Sequence, residues 1–373
     1  MTRVLNIISD SNIGGAGRVL LNYLQFCDNE NFETHIALPK GSLLTGPLIE
    51  AGGFVHEVDG IAERSYHKDD VTQLKKLIEE VKPDLVHTHG ALSGRIAAKR
   101  CKVPIIFTRH SAFPVPAKLR FPPGRWVNKW INEYYCNHII AVSPAAKKNL
   151  TDAGVSPNLI TPMMNGVAPL TRISDEERSE LRKSFGVSDN DFLLGILARI
   201  EDYKGHLTIA QAIMLLKEKG YAPKVLVAGI GPYEAELQRE IDELGVADSF
   251  IFLGFRSDVA AILSSLDCQL NASYGTETSS LSLLEGMSIS LPAIVSDYGG
   301  NPFVIDDGID GLMFPAKNGK ALADCIATVM DDRQKLAGMA NEAFVQFQKR
   351  FTGEIFAKNI EAVYDRTLKG VRK

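Results

Sequence analysis

The chain has 373 residues, 45% apolar and 23% charged, the mix of a globular protein with room for two domains and a large core. Lys and Arg number 41 against 45 Asp and Glu, a formal net charge of −4, which excludes a globally basic nucleic-acid binder, and no apolar run approaches the roughly 20 residues that cross a bilayer. The first residues turn polar too soon for a secretory signal, and five scattered cysteines without a CxxC argue against a disulfide framework or zinc cluster, so a reduced, cytoplasmic protein is expected.

Taken in chain order, short apolar runs alternate with helical patterns. Residues 4–8 are nearly continuous apolar sequence, the mark of a strand buried on both faces. A glycine turn and a helix over 18–26 follow, then a second strand at 34–38. Residues 70–81 carry Val71, Leu74, Leu77, Ile78 and Val81 on one helical face, and Lys82-Pro83 ends that helix. Strands at 84–87, 104–108 and 138–142 complete a βαβ series, which calls for a parallel sheet with helices on both faces. The pattern restarts after Asn165-Gly166. A charged helix over 175–185 precedes strands at 192–197, 224–228, 250–253, 268–270 and 293–296, with a helix over 234–244 between two of them. Two αβ halves therefore meet near residue 168. Open parallel sheets bind ligands beyond the carboxyl ends of their strands, so two of them facing each other would share a cleft there.

Four sets of residues fall at such strand ends. Gly14-Gly15-Ala16-Gly17 follows the first strand, where glycines let backbone N–H groups approach an anion. A nicotinamide site would need a third Gly or Ala where Leu20 stands, and an acid where the second strand ends in Pro39-Lys40. A tight turn, or a contact to phosphate or sugar, remains. Arg199 and Lys204 flank a short loop after the strand at 192–197. A forked guanidinium and a point-charge ammonium suit a diphosphate, although either alone reads as a solvated surface cation.

Glu277 and Glu285 stand eight positions apart around the start of a helix over 280–287. Thr278, Ser279 and Ser280 are small enough to leave the helix N-terminal N–H groups, including that of Leu281, open to an anion. Glu285 could then accept bonds from a ribose diol and Glu277 reach a sugar; spacing alone equally fits a helix flanked by solvated glutamates. His87, His89 and His110 end two neighbouring strands. No carboxylate completes a zinc set, so His110 reads as a hydrogen-bonding group for a sugar and His87 as a satisfied, partly buried ring.

The order of these pieces carries a resemblance. Gly-Gly after the first strand is followed by His-x-His at 87–89, Thr-x-His at 108–110, Asn165-Gly166-Val167 and Arg199 with Lys204-Gly205. Then come Ala228-Gly229-Ile230-Gly231-Pro232, Leu253-Gly254-Phe255, Glu277-(seven residues)-Glu285 and Asp297-Tyr298-Gly299-Gly300-Asn301-Pro302. From about residue 5 to residue 365 the chain resembles a retaining GT-B glycosyltransferase of glycosyltransferase family 4. The resemblance implies an α/β, GT-B fold of two Rossmann-like parallel-sheet domains facing across a cleft. Residues 1–168 would bind the acceptor, 169–350 the nucleotide-sugar donor, and 351–373 would form a helix crossing back to the first domain. Arg199 and Lys204 would hold the donor diphosphate, with Gly14 and Gly15 near it and the 278–281 N–H groups around it. Glu285 would bind the ribose, Glu277 and His110 the transferred sugar, and Gly231, Gly254 and Phe255 would line the base. One departure is Phe303, where family members commonly carry an acid.

The implied reaction is metal-independent hexosyl transfer with retention, from a UDP-sugar by default and a GDP-sugar next, with no cofactor beyond that donor. The acceptor would be lipid-linked, a glycan or otherwise anionic, in cell-envelope polysaccharide synthesis. Asp189-Asn190-Asp191 has the spacing of a metal motif but lies in a loop before a strand and reads as a solvated turn. Two other classes fit the architecture: a sugar-nucleotide epimerase, against which the Glu-(seven)-Glu element argues, and a non-catalytic sugar-nucleotide binder, against which the intact Arg199, Lys204, Glu277 and Glu285 argue.

One feature stands apart from the resemblance. Residues 85–132 contain no Asp or Glu but hold Arg95, Lys99, Arg100, Lys102, Arg109, Lys118, Arg120, Arg125 and Lys129. Phe113, Phe121, Trp126 and Trp130 interleave with the later ones. Such a segment suits an anionic membrane surface, with the protein peripheral on the inner face of the cell membrane, or a phosphorylated acceptor; the bland alternative is a solvated loop whose aromatics are core. Nucleic acid is not an expected partner.

Overall fold

The computed structural model describes residues 1–61 and 64–371. It divides into two compact units, Met1–Val167 with the chain from Phe351 on, and Ala168–Arg350.

The first unit is built on a seven-stranded parallel sheet: β1 (Thr2–Ile8), β2 (Phe32–Pro39), β3 (Phe54–Val58), β4 (Leu85–His89), β5 (Ile105–Arg109), β6 (His138–Ala141) and β7 (Ile160–Pro162). Their spatial order is β3-β2-β1-β4-β5-β6-β7, so the chain reverses direction across the sheet between β1 and β4. In register, Asn6 lies beside His87 and Ile8 beside His89. The edge strands β3 and β7 escape the apolar-run reading. β3, Phe-Val-His-Glu-Val, exposes Phe54 and Glu57 and fully buries only Val58, and β7 is three residues long. The C-terminal helix (Gly353–Val371) is part of this unit. It buries Phe356, Ala357, Ile360, Val363 and Tyr364, with the Tyr364 ring edge-on to Tyr23 and tilted against Phe32.

The second unit holds a six-stranded parallel sheet: β8 (Leu193–Leu197), β9 (Lys224–Ala228), β10 (Phe250–Gly254), β11 (Cys268–Asn271), β12 (Ala293–Ser296) and β13 (Gly311–Phe314), in the order β10-β9-β8-β11-β12-β13. Alternate residues of β8 and β9 enter different cores: Leu194, Ile196, Val225 and Val227 one, Leu193, Leu226 and Ala228 the other. That division explains why these strands read as unbroken apolar runs. The reversal in strand order lies between β8 and β11, the place where open parallel sheets bind ligands beyond their strand ends.

Candidate active site

Two loops of the second unit meet at that reversal. The loop after β8 runs from Arg199 through a short 3₁₀ turn (Asp202–Lys204) to Gly205, and the loop after β11 carries Glu277 toward a helix (Leu281–Ser288). Tyr274 N–H donates to the Tyr203 carbonyl at 2.8 Å, stitching the loops together. Gly205 makes the approach feasible. Its φ is +79°, and a Cβ there would sit 2.1 Å from the Ala272 carbonyl oxygen.

At the meeting point Lys204 Nζ lies 2.9 Å from Glu277 Oε2. The same oxygen accepts from Ser273 Oγ at 3.0 Å and Asn271 Nδ2 at 3.2 Å. Glu277 is 6% exposed. Burial pushes its carboxyl pKa up, but the Lys204 charge and the three donors outweigh burial and hold it below the ordinary 4.5. A buried network supports these donors. Asn301 Nδ2 donates to Ser296 Oγ at 3.1 Å, and Ser296 Oγ donates to the Ser273 carbonyl at 2.6 Å.

Gly299 and Gly300 complete the cradle. Gly300 N–H donates to the Glu277 carbonyl at 3.0 Å. A Cβ on Gly300 would fall 1.5 Å from the Thr278 carbonyl oxygen, and Gly299 has φ +64°. Neither position accepts a side chain without moving the loop that carries Glu277. Asn271, Ser273, Ser296 and Asn301 were not singled out from the sequence. Asn301 stands in the Gly-Gly-Asn-Pro run, but nothing in its spacing pointed at Glu277.

The helix Leu281–Ser288 starts with Thr278 and Ser279 buried before it and Ser280 at its N-cap. Ser282 Oγ donates to the Leu197 carbonyl at 3.2 Å, fixing the helix start beside the end of β8. Glu285 is half-buried on its second turn. Arg199 does not join the Lys204–Glu277 pair. Its guanidinium lies 2.7 Å from Glu201 Oε1 and is 72% exposed.

Further along the same sheet edge, Gly229 N–H donates to the Gly254 carbonyl at 2.8 Å and Ile200 N–H to the Ile230 carbonyl at 3.1 Å. The ends of β8, β9 and β10 are thereby drawn together. Phe255 and Ile230 project there, both exposed, an apolar patch beside polar loops, with Gly231 packed against the Ile200 carbonyl. Ile230 was not picked from the sequence; it sits unmarked between Gly229 and Gly231. Asp189 and Asp191 stand apart. Ser179 Oγ donates to Asp189 and Ser188 N–H to Asp191, a turn ahead of β8.

In the first unit Gly15 opens a helix (Gly15–Phe26) with Gly14 at its N-cap, and nothing lies within 4 Å of a Cβ at Gly15. His87, His89 and His110 form one cluster. His87 is fully buried rather than partly so, with Nδ1 2.8 Å from Tyr364 Oη and Nε2 2.6 Å from Thr108 Oγ1. His89 lies between Asn6 and His110. Burial, then like-charge neighbours where present, push all three imidazoles down, His87 to about 3 and His110 to about 4, so the cluster is neutral at pH 7.

The basic segment separates into two parts. Arg95 is buried, its guanidinium over the Phe107 ring and 3.1 Å from Asn132 Oδ1, and Arg109 is half-buried, with Nε donating to the Ser111 carbonyl. The other seven cations named above are exposed. On and before the helix Gly124–Tyr134, Phe121, Trp126 and Trp130 are exposed, among Lys118, Arg120, Arg125 and Lys129. The aromatics face solvent instead of the core. Among the described residues no helix is long and apolar enough to cross a membrane.

Comparison with known proteins agrees with this geometry. The family model for group 1 glycosyl transferases matches residues 177–346, and that for glycosyltransferase family 4 matches residues 13–169. EpsD of Bacillus subtilis (strain 168) is 27% identical over 312 residues, covering 79% of this chain and 80% of that one. The UDP-Gal:alpha-D-GlcNAc-diphosphoundecaprenol alpha-1,3-galactosyltransferase of Escherichia coli is 25% identical over 340 residues, covering 86% of each. Among solved structures, Anabaena Alr3699/HepE, crystallised with UDP and glucose, superposes with a TM-score of 0.83 at 20% identity, over 98% of this chain and 100% of that one. At that identity the superposition establishes the fold, GT-B.

Proposed function

Because the chain belongs to the group 1 glycosyltransferases of glycosyltransferase family 4, enzymes acting on nucleotide sugars, we propose that it transfers a hexosyl group from a UDP-sugar, with retention, to a lipid-linked or glycan acceptor in polysaccharide synthesis. The observation that carries this reading is the Lys204–Glu277 pair at the reversal of the six-stranded sheet, beside the start of the helix Leu281–Ser288.

The assigned roles follow from this chain's groups. Lys204 has three N–H donors and gives one to Glu277, so it can bind a phosphate oxygen without abandoning the carboxylate. Arg199 is in an exposed ion pair, which is worth little and exchanges readily for a diphosphate. The N–H groups at 278–281 point the helix dipole at the same charge. Glu285 takes the ribose hydroxyls, and Phe255 and Ile230 give the base an apolar face. The C1–O bond to the diphosphate breaks as an acceptor hydroxyl oxygen bonds C1 on the same face, and the hydroxyl proton passes to the departing phosphate oxygen. Negative charge builds on the diphosphate, where Lys204, Arg199 and the helix N-terminus meet it, so no resident metal is required. Glu277, held ionised, lies against the sugar, where positive charge develops.

The galactosyltransferase relative is named for a UDP-linked donor and a diphosphoundecaprenol acceptor, and HepE binds UDP. Both support the UDP assignment, and the first supports a lipid-linked acceptor. The exposed Trp126 and Trp130 among cations favour a peripheral position on an anionic, inner membrane face, with the first unit taking the acceptor. A thermal-shift panel of nucleoside diphosphates and their sugars tests the donor: preferential binding raises the melting temperature by mass action. UDP and UDP-hexoses are expected to give the largest shift; a larger GDP shift reassigns the base, and no shift with any nucleotide removes the proposal.

A further inference from the structure

A pocket of about 260 Å³ lies in the second unit, on the edge of the six-stranded sheet opposite the Lys204–Glu277 pair. Two of its lining residues, Asp267 and Pro292, immediately precede β11 and β12, whereas the loops of the candidate active site leave the far ends of β8 and β11. A strand of four residues spans roughly 13 Å, so the two places are separate. The inner wall is apolar: Leu263, Leu266, Ile289, Leu291 and Leu336 are all buried. Arg172, Arg178 and Arg333 also line the pocket, and among its described lining residues Asp267 is the one acid.

Asp267 is fully engaged. Its Oδ1 lies 3.0 Å from Arg178 Nη2, and its Oδ2 accepts from Leu193 N–H at 2.7 Å and from Arg182 Nη1 at 3.3 Å. Two guanidiniums therefore already outweigh that carboxylate. The other two arginines are placed but not paired. Arg172 rides on a strap tied at both ends, where Leu170 N–H donates to Ser288 Oγ at 3.0 Å and Ile173 N–H to Ser264 Oγ at 3.3 Å. Arg333 opens the helix Arg333–Arg350, and its guanidinium carbon lies 4.5 Å from the centre of the Phe192 ring. Both are exposed, and among the described residues neither has a carboxylate partner. Asp332, next in sequence to Arg333, accepts from Lys335 N–H at 2.8 Å instead.

We propose that this pocket binds a small amphiphilic phosphate monoester, its apolar body against the leucine and isoleucine wall and its phosphate held by Arg172 and Arg333. A guanidinium fork takes phosphate oxygens in pairs. A monoester carries nearly two negative charges at pH 7, which the two unpaired arginines match. The volume falls below the range of about 300–1,000 Å³ usual for drug-sized ligands, so the body is short, a single ring or a few methylenes. The pocket shares no residue with the candidate active site and does not rest on the function proposed above.

The probe is hexyl phosphate, titrated calorimetrically into the full chain at pH 7, alone and in an excess of UDP. Saturable binding at one site is expected, unchanged by UDP. Inorganic phosphate and 1-hexanol each offer half of the chemistry and should bind at least about tenfold more weakly, as should hexyl phosphate to Arg172→Gln/Arg333→Gln. Both arginines are exposed, so that double variant should keep the wild-type melting temperature. Ala340→Phe fills the pocket from the helix Arg333–Arg350 and should abolish binding. Absence of binding to wild type overturns the proposal, as do binding that the double variant retains, binding displaced by UDP, and binding of hexanol or inorganic phosphate as tight as that of the ester. Displacement by phosphatidic acid vesicles would transfer the site to a lipid surface and overturn its assignment to a soluble ester.

Discussion

Glu277 has a buried carboxylate whose charge is compensated by one ammonium and two neutral donors, all on one oxygen. Removing Lys204 leaves a buried charge short of its main partner, and breaking a buried pair in this way typically costs about 3–5 kcal/mol. Lys204→Met should therefore lower thermal stability at neutral pH. The pH dependence has a definite sign. The folded Glu277 titrates below its ordinary 4.5, so its pairing contributes stability that is full above that value and is lost as pH falls through the folded pKa. Melting curves of wild type and Lys204→Met should differ most above about pH 5 and converge in acid. A gap that stays constant or widens in acid would show that Glu277 is not the residue Lys204 stabilises.

At the scale of elements, the loops around Glu277 depend on backbone approaches that side chains forbid. Gly300→Ala puts a methyl 1.5 Å from a carbonyl oxygen; overpacking of this kind costs about 1–3 kcal/mol. It should depress both melting temperature and nucleotide affinity. Gly15→Ala meets nothing within 4 Å and should leave stability unchanged or raise it by up to about 1 kcal/mol, while weakening donor turnover if a phosphate packs on that backbone. Loss of stability in Gly15→Ala would contradict the open space seen at that helix start. The helix Gly124–Tyr134 makes a separate prediction. Flotation with vesicles containing anionic phosphatidylglycerol should be retained by wild type, weakened by salt, and lost in Trp126→Ala/Trp130→Ala without a change in melting temperature. Equal, negligible flotation on neutral and anionic vesicles would remove the membrane reading.

Elements also show what the sequence makes legible. β8 and β9 were readable because each is buried on both faces and so is written as an unbroken apolar run. β3 and β7 were not, one because an edge strand keeps solvent-facing polar residues, the other because three residues carry no period. Lys204, Glu277 and Glu285 could be placed at strand and helix ends from spacing, but the polar network of Asn271, Ser273, Ser296 and Asn301 could not. Its members are small polar residues in separate loops, and only the folded sheet brings them together. The basic segment was legible as charge but not as surface. That Arg95 lies inside and Trp126 outside is decided by the packing of a helix whose aromatic positions would equally suit a core.

At the scale of the whole molecule, each unit has its own sheet and core, and the chain beyond Phe351 belongs to the first. Tyr364 couples that late segment to β4, packing against Tyr23 and Phe32 and meeting His87 Nδ1 at 2.8 Å. Tyr364→Phe keeps the ring contacts and removes the hydrogen bond, a change worth about 1 kcal/mol. It should shift only the calorimetric transition of the first unit, leaving nucleotide binding unaltered; an equal shift in both transitions would contradict the placement of this helix in one unit.

The central claim is that the strand ends of the second unit hold a nucleoside diphosphate through Lys204. Calorimetric titration of UDP into wild type and Lys204→Ala measures this most directly. Wild type should bind and the variant should bind at least about tenfold more weakly, the expected loss for a charge-assisted hydrogen bond to phosphate. Equal affinity in the two proteins would contradict the account.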